Sequence, residues 1–283
     1  MPFDLSIVGK PSEATVFETS WKDAALYALG VGAKKDELDY LYEGRGPKVL
    51  PSFAVVPMFA PMLERLSKCG GNMAMVVHGG QRVLVHKPFP ASGKLRTVAT
   101  IRGIYDMKRF ANVIVDTETK NDAGETLATT SSSIFYRGEG NFGGEPPPKE
   151  ESGISLPKDR PADFRFEEAT TAEQALLYRL SGDLNPLHAD PEFATMVGFP
   201  QGPILHGLCT FGYMVRHAAK GACGGDAQKI TGFEAQFRKP VWPGDTIVTE
   251  GFIVAPGKVA LQVSVKERNE VVIGGAWATT AAT

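Results

Sequence analysis

Cysteine is scarce in this chain: three in 283 residues, at Cys69, Cys209 and Cys223. An odd number at those separations builds neither a disulfide framework nor a zinc site, and reads as reduced, packed thiols. No apolar run reaches the roughly 18 residues a membrane-spanning helix needs, so no membrane association is expected. Charge of one sign is nowhere concentrated: 30 basic and 32 acidic residues leave a net charge of −2. Without a basic stripe to follow a phosphate backbone, nucleic acid is excluded as a partner. The opening Met1-Pro2-Phe3-Asp4-Leu5 lacks a basic segment followed by an apolar one, and the closing Ala281-Ala282-Thr283 is not a peroxisomal tripeptide. A soluble protein of the cytoplasm or peroxisome is expected, with no targeting signal.

What is present suits one large domain or two ordinary ones: 43% apolar and 22% charged residues. One stretch is poor in everything a core needs. It carries Gly138, Gly140, Gly143, Gly144, Pro146-Pro147-Pro148 and Lys149-Glu150-Glu151, and such a segment holds no regular structure. It is taken as a linker, 141–162, between halves 1–140 and 163–283.

The halves resemble each other. Val77-His78-Gly79-Gly80 is echoed by Leu205-His206-Gly207-Leu208, and Lys87-Pro88-Phe89-Pro90 by Lys239-Pro240-Val241-Trp242-Pro243. Each pair is followed by a strand-rich tail with a tight turn, at Asn121-Asp122-Ala123-Gly124 and at Arg268-Asn269-Glu270. Helical patterns cover 21–32 and 171–180, the latter capped by Thr171 with Ala172, Ala175, Leu176 and Leu180 on its inner face. The apolar stretch 52–67 is interrupted by Pro57 and Pro61; with Gly70-Gly71, these predict a broken helix with room beside it for a long ligand. The segment 204–220 is apolar nearly all round, the pattern of a buried helix. Strands rich in Val, Ile, Thr and Phe are predicted at 82–86, 95–105, 111–119 and 126–136, then at 230–237, 246–254, 258–267 and 271–279. A buried helix followed by antiparallel strands, done twice, gives an α+β fold: two copies of a central helix wrapped by a sheet.

The densest polar segment runs Tyr178-Arg179-Leu180-Ser181-Gly182-Asp183-Leu184-Asn185-Pro186-Leu187-His188-Ala189-Asp190-Pro191. Gly182 suits a helix C-terminus, and Pro186 and Pro191 stiffen the path beyond it. Asp183 and His188 are residue types that exchange protons near neutral pH. Downstream, Gly207 opens the buried helix, where bare N–H groups and the helix dipole favour a developing negative charge. Two plainer readings stand beside this one. Asp-x-Asn-Pro is a common turn, with each side chain bonding its own backbone, and His188 can be a partner of Asp190. A metal held by His188, Asp190 and His206 matches no common ligand spacing, and none is expected.

The same run is similar to the hydratase 2 motif of (R)-specific enoyl-CoA hydratases and MaoC-like dehydratases. Pro203-Ile204-Leu205-His206-Gly207 resembles a second signature of that family, and Phe237-Arg238-Lys239-Pro240-Val241-Trp242-Pro243-Gly244-Asp245 a third. In the first half, Trp21-Lys22-Asp23-Ala24, Leu50-Pro51-Ser52-Phe53 and the run from His86 to Leu95 resemble the longer, eukaryote-type members. The resemblance implies a double hot-dog fold. It implies hydration of an enoyl thioester without metal or redox cofactor. Asp183 and His188 would activate water, Asn185 would help position the site, and the Gly207 N–H would join the oxyanion hole. The first half lacks the Asp-x-Asn-Pro-x-His segment, so it would line the acyl tunnel and the chain would hold one active site. The acyl-CoA substrate is anionic, and Arg238 and Lys239, taken to stand before a strand that begins at Pro240, are the candidate contacts; Lys87 is a weaker one. Pairing into a homodimer fits a fold of this kind. The rival readings are a dehydratase acting on an acyl carrier protein thioester, a hot-dog thioesterase, and a non-enzymatic acyl-CoA binding module.

Overall fold

The computed structural model describes residues 2–148 and 153–281; Lys149, Glu150 and Glu151 of the expected linker lie outside them. Five strands come from the first half: β1 (Thr15–Thr19), β2 (Val76–Val85), β3 (Gly93–Asp106), β4 (Phe110–Lys120) and β5 (Thr126–Arg137). Five come from the second: β6 (Phe164–Ala169), β7 (Ile230–Phe237), β8 (Thr246–Ala255), β9 (Lys258–Val265) and β10 (Glu270–Thr280). They form a single sheet in the order β1-β3-β4-β5-β2-β7-β10-β9-β8-β6, with every neighbouring pair antiparallel. Read inward from either edge, the two halves repeat one order: β1-β3-β4-β5-β2 and β6-β8-β9-β10-β7.

The seam is the pairing of β2 with β7, where Arg82 stands opposite Glu234. The Arg82 Nε donates to Glu234 at 2.6 Å, and the Trp277 indole donates to the same carboxylate at 3.1 Å. Among the described residues, the seam leaves β1 and β6 as the edges. These two short strands were not foreseen from the sequence. Both alternate in exposure and are short, and each turns charge outward, Glu18 on β1 and Arg165 and Glu167 on β6, a device that keeps edges from recruiting further strands.

The helices are α1 (Trp21–Gly30), α2 (Leu38–Leu41), α3 (Val55–Lys68), α4 (Gln174–Tyr178), α5 (Pro191–Met196) and α6 (Gly207–Ala222). α3 lies against β3 and β4, and α6 against β7 to β10. α6 is buried from Leu208 to Ala219, which explains a sequence apolar on nearly every side. Among the described residues no helix is long and apolar enough to cross a membrane. All three cysteines are buried and unpaired.

Four expectations need correction. α3 is not broken: Pro57 occupies its first turn, where an N–H has no intrahelical acceptor. Pro61 removes one rung, while burial of Met58, Met62 and Leu66 holds the helix together; it ends before Gly70 and Gly71, at φ +87° and +74°. The helix expected over 171–180 is five residues long and Thr171 does not cap it. Its inward face is set by Gln174, which donates to the Gly30 carbonyl at 2.7 Å, and by Tyr178; Leu176 and Leu180 are exposed. α6 begins at Gly207 because His206 is off the helical path, at ψ 134°, and Leu205 donates to the Val241 carbonyl at 2.7 Å. Finally, the two His-Gly segments are not equivalent. His78 is in β2, whereas His206 caps α6, so their likeness is coincidental. The Lys-Pro segments do occupy matching places, after β2 and after β7, and the two tight turns join β4 to β5 and β9 to β10.

Candidate active site

The polar segment after α4 folds by the local bonds its residues prescribe. Gly182 turns the chain at φ +123° and returns its N–H to the Arg179 carbonyl at 3.0 Å. An Asp183 oxygen accepts the Asn185 N–H at 3.2 Å, and Asn185 accepts the Leu187 N–H at 3.0 Å. The exposed Asn185 thereby caps the short turn Pro186–His188. Asp190 accepts the N–H groups of Glu192 and Phe193 to cap α5, so it is a structural residue and not the partner of His188. The turn chemistry and the proton chemistry coexist, because Asp183 uses one oxygen for the turn and keeps the other free within the described chain.

His188 is buried, and its Nδ1 lies 2.8 Å from the Ile204 carbonyl. A carbonyl only accepts, so Nδ1 carries the hydrogen and Nε2 is left with its lone pair. His206, also buried, follows the same logic: its Nε2 lies 3.1 Å from the Asp183 carbonyl, which leaves the lone pair on Nδ1. The two imidazoles stack with centroids 3.7 Å apart at 26°. Asp183, His188 and His206 offer polar atoms within 4.8 Å of one another.

Burial pushes the Asp183 carboxyl up, opposed by the positive charge available on His188. Burial pushes His188 down, opposed by Asp183. Burial and then the His188 charge push His206 down to about 2. The site therefore holds a neutral base-competent imidazole beside a carboxyl that gives up its proton less readily than an exposed one. The Arg179 guanidinium helps keep Asp183 ionised. It is half-buried, and its Nε has no hydrogen bond among the described residues.

Gly207 is the first residue of α6, a helix of 16 residues. The N–H groups of Gly207 and Leu208 have no intrahelical acceptor, whereas that of Cys209 is taken by the His206 carbonyl. A methyl group added at Gly207 would stand 3.3 Å from the Phe237 ring. The absent side chain thus leaves a narrow approach between that ring and the helix end.

The candidate cations are placed differently from expectation. Arg238 and Lys239 follow β7 in a loop and do not open a strand, because β8 starts only at Thr246. Both are exposed. Arg238 donates to the Gln236 side chain, and Lys239 lies 3.9 Å from Glu270. With Phe237, Arg238 lines a groove of about 310 Å³ whose other walls include Gly80, Asn112, Pro148 and Glu234. Lys87 is paired with Glu125.

From the sequence, His206 belongs to a repeated His-Gly segment and to the second family signature, and its one chemical role considered was in a metal set with His188 and Asp190. In the structure Asp183 takes the place of Asp190. Each histidine has one nitrogen tied to a carbonyl and one free, as metal-binding histidines do. Their rings nevertheless lie face to face, so the in-plane lone pairs run side by side and do not converge as a tetrahedral ion requires. The arrangement suits proton transfer better. The signal for His206 was available in its place beside Gly207.

Residues 17–138 match the model of the MFE-2 hydratase 2 N-terminal domain, and residues 155–275 that of the MaoC like domain. Over 276 residues the chain is 39% identical to 3-hydroxyacyl-thioester dehydratase Y of Mycobacterium tuberculosis, covering 94% of this chain and 92% of that protein. The chain belongs to the MaoC-like hydratase 2 family. It is also 35% identical to the peroxisomal enoyl-CoA hydratase 2 of Arabidopsis thaliana, over 96% of this chain and 93% of that one. Among solved structures of the family, a MaoC-like dehydratase from Phytophthora capsici superposes with a TM-score of 0.88 at 30% identity, over 99% of this chain and 98% of that one. A Mycobacterium tuberculosis protein described as a double hotdog fold superposes at 0.59 with 14% identity, over 96% of each chain, a likeness of fold alone. The fold is therefore the double hot-dog that the sequence resemblance implied, with α3 and α6 as its central helices.

Proposed function

We propose that this chain is a hydro-lyase, an (R)-specific 2-enoyl-CoA hydratase that reversibly adds water to trans-2-enoyl-CoA to give (R)-3-hydroxyacyl-CoA. The observation that carries this reading is the His188 tautomer. Its Nδ1–H is committed to the Ile204 carbonyl, which leaves Nε2 with its lone pair, and the His188 ring lies in one cluster with Asp183, polar atoms of the two within 4.8 Å. Water held between Asp183 and His188 loses a proton to the pair as its oxygen bonds to C3 of the enoyl thioester. The π electrons move onto the thioester oxygen, where the Gly207 N–H and the α6 dipole meet the new charge. The pair then returns a proton to C2, and one water has been added across the double bond. Asn185 acts through the backbone, by holding the turn that carries His188.

In this reading residues 163–283 hold the chemistry and residues 1–140 line the acyl chain, with the segment 141–162 between them. Arg238 and Lys239 meet the phosphates of the acyl-CoA, and two chains pair as a homodimer. A cytoplasmic or peroxisomal setting suits the substrate; several relatives carry peroxisomal names. The relative named 3-hydroxyacyl-thioester dehydratase favours a second reading, the same chemistry run backwards on a carrier-protein thioester. The deciding assay follows the loss of enoyl-thioester absorbance when the protein meets trans-2-enoyl-CoA, with the product resolved on a chiral column. Rapid loss to the (R) product supports the proposal. No loss at any chain length, with turnover of a carrier-protein thioester, supports the second reading.

A further inference from the structure

We infer that His206 is a positioning residue of this site: as an Nε2–H imidazole it ties the Asp183 backbone to the start of α6 and forms the wall on which the His188 ring is stacked. Three contacts carry this. Its Nε2–H meets the Asp183 carbonyl at 3.1 Å. Its ring lies 3.7 Å from that of His188, with Tyr178 packed on the same imidazole at 4.9 Å. Its own carbonyl accepts the N–H groups of Cys209 and Thr210 at 3.0 and 3.3 Å, as the cap of α6.

Packing alone does not explain an imidazole here. His206 is 1% exposed, and a phenyl group would fill the space and stack as well without burying two polar nitrogens. One of those nitrogens, Nδ1, is buried without a hydrogen-bond partner among the described residues. The cost of that orphan is offset only if the other nitrogen does something a phenyl group cannot. Protonating Nδ1 would turn the orphan into a buried, unpartnered charge, so the ring is held neutral. The groups facing it are Asp183, His188, Tyr178 and Arg179, and burial, followed by the charges of His188 and Arg179, opposes protonation. Because His206 directly precedes Gly207, it sets the distance between the proton-transfer pair and the N–H groups that receive the oxyanion.

The test uses the full chain, ¹⁵N-labelled at histidine, and two variants. His206→Phe keeps the stack and loses the donor; His206→Gln keeps a donor near the Nε2 position. The kinetic arm rests on the hydratase reading, while the spectroscopic arm does not. In the native protein the His206 signal should be that of an Nε2–H ring that does not titrate near pH 6.5, the ordinary imidazole region. His206→Phe should lose about 10²-fold in kcat, the scale of a misplaced reacting group, with KM on enoyl-CoA within about threefold. Its His188 titration should rise toward about 6.5 as the site loosens, and His206→Gln should recover kcat to within about tenfold of native. Native kcat and an unmoved His188 titration in His206→Phe would overturn the inference. So would an equal loss in the two variants with melting unchanged. A native His206 that carries Nδ1–H or titrates near 6.5 would overturn it even if both variants fail to fold. If the native protein turns over no enoyl-CoA, the hydratase reading falls, and the ¹⁵N spectra still decide the role of His206.

Discussion

Arg216, buried on α6, grips Glu37 of the other half of the chain with two guanidinium nitrogens. The same side chain donates to the Val31 carbonyl at 2.8 Å and reaches Glu168 at 3.4 Å. His217 completes the cluster, between Glu168 and Thr249. One buried cation thus fastens α6 to both halves.

Removing that cation leaves Glu37 to Lys220, and Glu168 to Lys34 and His217. Arg216→Ala should cost about 3 kcal/mol, the low end of the scale for breaking a buried ion pair, because both carboxylates keep a partner. Urea unfolding should show it as a lower midpoint, and an unchanged midpoint would mean that water reaches the cluster freely.

The cluster also predicts an acid limit. Burial pushes Glu168 up, but the His217 hydrogen bond, the Arg216 charge and the Lys34 hydrogen bond pull the other way, and the group comes down to about 2. Its contribution to stability is therefore fully present above the ordinary carboxylate value and is lost as pH falls from about 4.5 toward 2. Glu168→Gln should be less stable than the native chain at pH 7, and the gap should narrow across that window in thermal melts.

At the site, Asp183→Asn should lose about 10²-fold or more in kcat, the usual scale for a positioned acid or base, with melting little changed. In the native enzyme burial holds His188 below its ordinary value, so it stays neutral and able to accept a proton below pH ~6.5. The ascending limb of the kcat profile should lie on the acid side of that value. A limb at or above it would mean that His188 is solvated when the enzyme works.

Gly207→Ala separates packing from chemistry. The added methyl meets the Phe237 ring at 3.3 Å, a contact that a small ring shift relieves at a cost of about 1 kcal/mol. If a substrate oxygen approaches this N–H, kcat should fall by about tenfold or more. A loss of stability with normal kcat would remove Gly207 from the oxyanion hole.

Arg238 and Lys239 are exposed, so alanine at either should leave stability within about 0.5 kcal/mol. KM for acyl-CoA should rise several-fold with kcat unchanged, the mark of a group that binds substrate and transition state alike. An unmoved KM in the double variant would place the CoA phosphates elsewhere.

The sequence by itself determined what neighbours along the chain can settle. The turns at Gly124 and Asn269, the reversal at Gly182 and the stiff loop from Asp183 to His188 all follow from residues a few positions apart bonding each other. The same is true of the long strands, whose β-branched residues declare them. The tertiary structure decided what depends on the chain's return. Asp183 and His206 are 23 positions apart, and no local pattern says that the carbonyl of one meets the ring of the other. Burial likewise kept α3 intact through Pro61 and turned Gln174 inward while Leu176 faced water. The edge strands β1 and β6 were too short to stand out from their neighbours, and only pairing with β3 and β8 makes them strands. Local hydrogen bonds are prescribed by residue type, but which side chain is desolvated, and which nitrogen of a histidine is left free, is decided by elements that meet only after the sheet has closed at β2 and β7.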